Sequence, residues 1–329
     1  MNLIDRYISY IRDQKRYSVR TVAIYGDVLR NYLLVTFSTE DVSDDELLPS
    51  LNVSEIRSYE VHLMDVAKLS PKTVNLHLSV LSGFCRFLIR EGEMGSNPVR
   101  LIKKPKVEKR LPEFYSKDSL DEYFANTQIY VSQEYLDAFS AEPETKSAKV
   151  MYERRLARVV ISSLYSMGLR RSELISLNIG DVDLGRNVAK VKGKGNKMRE
   201  IPLVASLCEE ILLYLKAVEV LVGGQRSLKE PLLVTYTGSR LYPVYVDKVV
   251  KSELGGCKGI TGRKSPHVLR HSLATELMNE EADLNSIKEM LGHSSLATTQ
   301  VYTHNTIARL KHIYEQAHPR AKNGGKNGD

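Results

Sequence analysis

The sequence has no long apolar run, and no stretch approaches the roughly 18 apolar residues that a membrane-spanning helix needs. Its start, Met1 to Arg6, lacks a positively charged stretch followed by an apolar one, so no secretory signal is expected. The three cysteines, Cys85, Cys208 and Cys257, are an odd number at wide spacing. They fit neither a disulfide framework nor a zinc knuckle, and a reducing cytoplasm is the expected setting.

What the sequence does contain is a moderate excess of positive charge. Lys and Arg total 47 against 40 for Asp and Glu, which gives a net charge of +7 over 329 residues. This balance permits binding to a polyanion such as nucleic acid, but many soluble proteins that bind none are equally basic. Apolar residues make up 42% and charged residues 26%, the balance of a folded globular protein long enough for two domains.

Helical periodicity dominates the first hundred residues. Apolar residues recur at close to a 3.6-residue spacing, and Ser70 followed by Pro71 is typical of a helix start. The predicted helices cover residues 3–12, 17–34, 53–67 and 72–90. They predict a four-helix N-terminal domain over residues 1–97. The basic segment that follows, residues 98–112, is bracketed by prolines and predicts an extended linker.

The rest of the chain predicts a mixed but mainly helical second domain over residues 113–321, before a disordered tail over 322–329. Two short alternating runs, residues 188–191 and 199–202, flank a glycine-rich turn and predict a β-hairpin. The predicted helices cover residues 149–167, 206–218, 244–254, 267–279, 284–291 and 296–302, with Gly168 as the C-cap of the first. The fold class is therefore mainly α, with a small β-hairpin or sheet.

Four segments of this second domain hold polar residues that a plain core would not need. Arg170 and Glu173 stand at a predicted helix junction, where a surface arginine with a capping box would look the same. Lys194 lies between two glycines in the predicted hairpin turn, which is not a GxxxxGK[ST] phosphate loop and would otherwise be a solvated turn.

The third and fourth segments lie further along the chain. His267 and Arg270 are three residues apart, so they share a helix face. His267 and His271 do not indicate zinc, because no glutamate lies between them and Arg270 would repel a cation. His293 and Tyr302 follow, and each taken alone would fit a partly buried amphipathic residue.

In this order and spacing, the segments resemble the tyrosine recombinase (phage integrase) family, and within it the Xer recombinases. The matching stretches are residues 165–174, 191–197, 267–272 and 291–304. The resemblance implies a DNA strand transferase in which Tyr302 attacks the scissile phosphate and forms a 3′-phosphotyrosyl bond. Its implied catalytic set is Arg170, Lys194, His267, Arg270, His293 and Tyr302, with Glu173 as an orienting group.

The resemblance also implies what each residue does. Arg170 and Arg270 would clamp the non-bridging phosphate oxygens, a task that suits planar guanidinium groups. Lys194 would protonate the leaving 5′ oxygen, and His267 would accept the tyrosine proton.

Two members of the set have supporting roles in this scheme. His293 would hydrogen-bond the phosphate, and Glu173 would orient His267 or an arginine. No metal and no cofactor are implied, because arginines would take the place of metal ions and the phosphotyrosine would conserve the bond energy.

The implied partner is double-stranded DNA carrying a specific recombination site. The N-terminal domain would bind the opposite side of the DNA, where the candidate phosphate contacts are Lys15, Arg16, Arg20 and Lys72, although each would also fit an ordinary exposed basic residue. A last helix over residues 307–316 would dock into a neighbouring protomer, giving a homo- or hetero-tetramer on DNA. A second recombinase and a DNA translocase are further candidate partners. The implied location is cytoplasmic, with the nucleoid.

Three other functions stay open at this point. The chain would equally fit an integrase or invertase of a mobile or phase-variable element, instead of an enzyme of chromosome-dimer resolution. A DNA-binding protein without catalysis and a type IB topoisomerase are the others. Residues 125–148 exceed what family members usually have in this region, which predicts an extra helix or loop near the DNA or a partner.

Overall fold

The computed structural model describes residues 2–108, 113–193, 196–260, 262–280, 284–292 and 320. The chain divides into two compact units, Met1–Arg110 and Leu111–Asp329, and each has a hydrophobic core of its own. None of the helices in these ranges combines the length and the apolar character that crossing a bilayer requires.

The first unit is helical throughout. Its helices are α1 (Leu3–Ser9), α2 (Val19–Phe37), α3 (Asp44–Ser50), α4 (Val53–Val61) and α5 (Pro71–Glu91), with π-helical turns over Tyr10–Gln14 and His62–Val66 continuing α1 and α4. Each of the five begins at a Ser or Asn whose side chain accepts a backbone N–H of the first turn. The four predicted helices are all present in this unit.

The structure adds two elements that were not predicted in the first unit. The short helix α3 begins with a capping box between Ser43 and Glu46, and Leu47 joins the core. The segment expected to be an extended linker starts as a 3-10 helix, Pro98–Leu101, and its Val99 side chain is buried. The expectation of an extended backbone was wrong for residues 98–101, because Val99 and the nearby Ile102 pack into the core of the first unit. The domain boundaries themselves stay a prediction.

The second unit is mainly helical. Its helices are α6 (Lys117–Asn126), α7 (Gln133–Ala141), α8 (Lys146–Ser166), α9 (Arg171–Ser176), α10 (Ala205–Val222), α11 (Pro243–Glu253), α12 (Pro266–Asn279) and α13 (Leu284–Leu291). The central helix α8 is buried along its second half and contacts α10, α11 and α12. The predicted helices over residues 296–302 and 307–316, and the predicted tail over 322–329, lie outside the described residues.

A small antiparallel sheet lies in the second unit, with strand order β1 (Val182–Asp183), β2 (Val188–Lys192), β3 (Met198–Pro202). The predicted hairpin is the β2–β3 pair, in which Ala189 pairs with Ile201 and Val191 with Arg199. The fold class is therefore mainly α with a small sheet, as the sequence predicted.

Residues 125–148 form a packed part of this unit. A 3-10 helix, Gln128–Val131, leads into α7, whose Leu136 and Phe139 are buried in the core. The Arg155 guanidinium of α8 donates to the carbonyl oxygen of Ser132 at 2.9 Å. The extra segment thus contributes a helix to the core.

A buried ion-pair cluster connects α8, α10 and Arg320. Oε1 of Glu210, on α10, accepts hydrogen bonds from Nη2 of Arg158 at 2.8 Å and from Nη2 of Arg320. Both guanidinium groups lie over the ring of Phe124, at 4.5 and 4.3 Å from its centroid. Arg320, far along the chain, is in this way held against the core of the second unit.

Gly168 connects α8 to α9 in the left-handed conformation, with φ +58°. A Cβ at this position would lie 2.5 Å from Leu291 and 3.1 Å from Leu273. We expect Gly168→Ala to lower the free energy of unfolding by about 1–2 kcal/mol for the backbone conformation and by a further ~1–3 kcal/mol for overpacking. Chemical denaturation followed by circular dichroism measures the total change in the free energy of unfolding.

The matched control for this prediction is Gly223→Ala. Gly223 is also left-handed, with φ +69°, but nothing lies within 4 Å of its Cβ position. This variant should show only the backbone contribution. Equal losses in the two variants would contradict the packing part of the prediction.

Candidate active site

Glu173 is the centre of a buried ion-pair cluster at the start of α9. Its carboxylate accepts the backbone N–H of Arg170 at 2.8 Å and the Nη1 of the same residue at 2.7 Å. It also accepts both terminal nitrogens of Arg199, at 3.0 and 2.9 Å, in a two-point contact. Nη1 of Arg270 lies 3.9 Å away. One carboxylate therefore binds two arginines directly and faces a third.

The same three arginines hold the C-terminal end of α13. Three consecutive backbone carbonyls there each accept one guanidinium N–H. The pairs are Arg199 Nε to Met290 O at 2.8 Å, Arg270 Nη2 to Leu291 O, and Arg170 Nη2 to Gly292 O at 2.9 Å. Carbonyls at a helix C-terminus lack partners within the helix and carry partial negative charge, so cations are favourable there. The arginines fix the backbone directly before His293.

Each arginine reaches the cluster from a different element. Arg170 immediately precedes α9, Arg199 lies on β3, and Arg270 projects from α12 towards the α8–α9 connection, where it donates to the carbonyl oxygen of Gly168 at 2.6 Å. The cluster is therefore assembled by tertiary packing of the second unit.

The cluster carries an excess of positive charge, because three guanidinium groups share one carboxylate. Burial lowers the pKa of Arg270 to about 10, and the charges of Arg170 and Arg199 act in the same direction. Because this pKa is still well above neutral pH, the guanidinium group of Arg270 stays protonated there. Burial would raise the pKa of Glu173, but the hydrogen bond and charge of Arg199, followed by the contacts of Arg170, bring it below its ordinary value. An anion such as a phosphate is the ligand that this arrangement favours.

Accessibility differs among the three arginines. The Arg170 side chain is 31% exposed, whereas that of Arg199 is 6% exposed and that of Arg270 is 8% exposed. Arg170 is thus the most open to a ligand arriving from solvent.

Comparison with known proteins identifies the family. The model of the phage integrase family matches residues 131–309, and the model of the phage integrase N-terminal SAM-like domain matches residues 4–92. The chain belongs to the phage integrase family. It is a tyrosine recombinase, as the sequence resemblance implied, and an enzyme of DNA recombination.

Relatives of this tyrosine recombinase cover nearly its whole length. The chain is 35% identical over 329 residues to a tyrosine recombinase XerC of Chlorobaculum parvum, covering 97% of this chain and 94% of the relative. It is 32% identical over 324 residues to a tyrosine recombinase XerD of Oceanobacillus iheyensis, covering 97% and 98%.

Solved structures share the fold of this recombinase. The XerH recombinase bound to palindromic difH substrate aligns with a TM-score of 0.62 at 20% identity, covering 98% of this chain and 82% of that one. The Tn1549 transposon integrase in complex with transposon right end DNA also aligns with a TM-score of 0.62, at 15% identity, covering 98% of both chains.

The structure brings together three members of the predicted site of this recombinase, namely Arg170, Glu173 and Arg270. Glu173 contacts arginines, which is one of the two partners expected for it. His267 lies exposed in the first turn of α12. The remaining predicted catalytic residues, Lys194, His293 and Tyr302, lie outside the described residues.

Arg199 is the member of the cluster that the sequence analysis missed. In the sequence alone, nothing distinguishes Arg199 from an ordinary polar residue of a short strand. The available signal was strand alternation, because Arg199 and Ile201 are two residues apart and therefore share the buried face of β3. An arginine on a buried strand face needs an anionic partner.

The four predicted DNA contacts of this recombinase, Lys15, Arg16, Arg20 and Lys72, are all exposed in the first unit. Exposure is compatible with phosphate binding and with ordinary solvation alike. Their role stays a prediction.

Proposed function

We propose that this recombinase cleaves and rejoins DNA at a specific site with Tyr302 as the nucleophile. The phenol oxygen of Tyr302 attacks the scissile phosphorus, a bond forms between them, and the bond from phosphorus to the 5′ oxygen breaks. The products are a 3′-phosphotyrosyl link and a free 5′-hydroxyl. Religation is the reverse reaction with a new 5′-hydroxyl.

Two proton transfers balance the step. His267 accepts the proton of the Tyr302 hydroxyl, and Lys194 donates a proton to the departing 5′ oxygen. His293 donates a hydrogen bond to the phosphate. Cleavage and religation need no cofactor or energy source, because the number of phosphoester bonds does not change.

The arginine cluster is the observation that carries this proposal. Arg170 and Arg270 supply fixed positive charge beside the end of α13, and the charge of the phosphorane grows during attack. Donors held in place before the reaction stabilise such charge without reorganisation. The cluster also lies beside Gly193 and Gly292, whose Cβ positions would be 3.4 and 3.1 Å from Nη1 of Arg199. Those glycines directly precede Lys194 and His293 in the sequence.

The biological role that we propose is Xer-type chromosome-dimer resolution. Two relatives above 30% identity that cover 97% of this chain bear the names XerC and XerD. For the integrase alternative, the similarity to the Tn1549 transposon integrase is one of fold, at 15% identity. In this role the protein acts with the nucleoid as a tetramer on two DNA sites, in which residues 307–316 dock into a neighbour. A second recombinase or a DNA translocase then serves as a partner.

Covalent trapping tests the proposed nucleophile. Sites enriched by the protein from its own genome are converted into substrates nicked near the scissile phosphate, so that the cleaved end diffuses away. We expect a protease-sensitive DNA adduct with the wild type and none with Tyr302→Phe. The control Tyr242→Phe alters an exposed tyrosine of the same unit and should form the adduct normally. An adduct with Tyr302→Phe would refute the assignment.

Tight binding without an adduct in any variant would point to a missing partner. In that case, adding the right second recombinase to the same reaction should allow the wild type to form the adduct. If no addition restores it, the proposed chemistry is wrong.

A further inference from the structure

Arg199 is buried, and each of its three side-chain nitrogens donates a hydrogen bond. Its Nε donates to the carbonyl oxygen of Met290, and its two terminal nitrogens donate to the two carboxylate oxygens of Glu173. Every nitrogen of the guanidinium group thus has a protein partner, and the side chain is 6% exposed. Three of the five N–H groups of Arg199 are therefore used within the protein, and its side chain is much less accessible to a phosphate than that of the more exposed Arg170.

The position of Arg199 gives its contacts a particular consequence. It lies on β3 opposite Val191 of β2, and the Gly193 N–H donates to the carbonyl oxygen of Lys197 at 2.7 Å at the end of the ladder. Lys194 belongs to the short connection between these strands. The contacts of Arg199 thus attach the β2–β3 hairpin to α9 and to the end of α13.

We infer that Arg199 is a positioning residue that seats the β2–β3 hairpin on Glu173 and the end of α13, and that this seating supports the proton donation proposed for Lys194, which belongs to the connection between the two strands. This inference rests on the proposed function, in which Lys194 is the general acid. Arg199 also binds the Glu173 carboxylate, so that less of the positive charge of Arg170 is neutralised within the protein. The planar guanidinium group of arginine suits this position because one side chain must donate to three separate acceptor atoms.

The experiment compares two leaving groups in single-turnover cleavage of the nicked substrate. One substrate has the natural 5′ oxygen, and in the other sulfur replaces that bridging oxygen. A thiolate departs without protonation because a thiol is far more acidic than an alcohol, so the second substrate does not need the general acid. A defect in proton donation is therefore relieved by sulfur, whereas a defect in phosphate binding or folding is not.

We expect Arg199→Met to cleave the oxygen substrate about 10²-fold more slowly, the loss that a displacement of roughly 1 Å produces in an active site. On the sulfur substrate, Arg199→Met should cleave at close to the wild-type rate, and so should Lys194→Ala. Arg170→Ala should stay slow on both substrates. Arg186→Met, which alters an exposed arginine beside the same sheet, should cleave both substrates normally.

The outcomes separate this inference from the proposed function. If Arg199→Met still cleaves the sulfur substrate slowly while Lys194→Ala recovers its rate, only the positioning role is overturned. The same holds if Arg199→Met cleaves the oxygen substrate at the wild-type rate. If the cleavage rate of Lys194→Ala gains nothing from sulfur, Lys194 is not the general acid, and the proposed support of Lys194 by Arg199 fails with it. If thermal unfolding shows that Arg199→Met does not fold, Arg199→Lys replaces it. This variant keeps the charge but cannot meet all three acceptors, and it should show a smaller loss that sulfur also relieves.

Discussion

Arg170→Ala is expected to form the covalent DNA adduct about 10²–10³-fold more slowly than the wild type, the loss typical of removing one preorganised donor to a charged transition state. The side chain of Arg170 is the most exposed of the three clustered arginines. Its removal should leave the fold intact, since Glu173 keeps its two-point contact with Arg199. Single-turnover cleavage of the nicked substrate gives the rate, and a binding titration shows whether DNA affinity has changed.

The neighbouring Arg171 supplies a matched control. Its side chain is also 31% exposed, but it pairs with Asp247 of α11 and not with Glu173. Arg171→Ala should therefore cleave at close to the wild-type rate. An equal slowing in both variants would mean that loss of positive charge, and not the clamp on the phosphate, explains the effect.

Glu210→Ala is expected to destabilise the second unit by roughly 3–5 kcal/mol, because it leaves Arg158 and Arg320 buried without their shared counter-ion. Burial would raise the pKa of Glu210, but the charges and hydrogen bonds of the two arginines bring it below the ordinary value. The carboxylate therefore stabilises the fold above the ordinary glutamate pKa of about 4.3, and this contribution is lost as the pH falls through the lower pKa of the folded state. Denaturant titrations at neutral and acidic pH measure both effects.

The control for this prediction is Glu209→Ala, which removes the preceding carboxylate on the exposed face of α10. A surface change of this kind usually alters stability by less than about 0.5 kcal/mol. If Glu210→Ala were no more destabilising than Glu209→Ala, the buried cluster would not support the fold. The stability difference between wild type and Glu210→Gln should also narrow at acidic pH.

Much of the fold was predictable because it depends on local patterns. The four predicted helices of the first unit show apolar residues at helical spacing, and Ser70 with Pro71 marks a start that the structure places at α5. The helix α3 was missed because it is short and contains Pro49, although Ser43 and Glu46 form a capping box that the sequence already displays. The burial of Val99 depends on contacts with the first unit, which local periodicity does not report.

The site was predictable only in part. Arg170, Glu173 and Arg270 were identified from a motif resemblance, and the structure brings them together. Arg199 was missed because its partner Glu173 lies 26 residues earlier in the chain, so that no short spacing connects them. The same holds for Glu210 and Arg158, whose burial on helices is a property of the packed unit. Long-range ion pairs require the tertiary structure.

The anchoring of Arg320 has a consequence for the stretch of chain that carries Tyr302. Gly292 and Arg320 both contact the same unit, so residues 293–319 are bounded at each end by an attachment to their own molecule. Release of Arg320 from Glu210 would separate two buried charges, so detaching this end of the stretch from the second unit is a costly step.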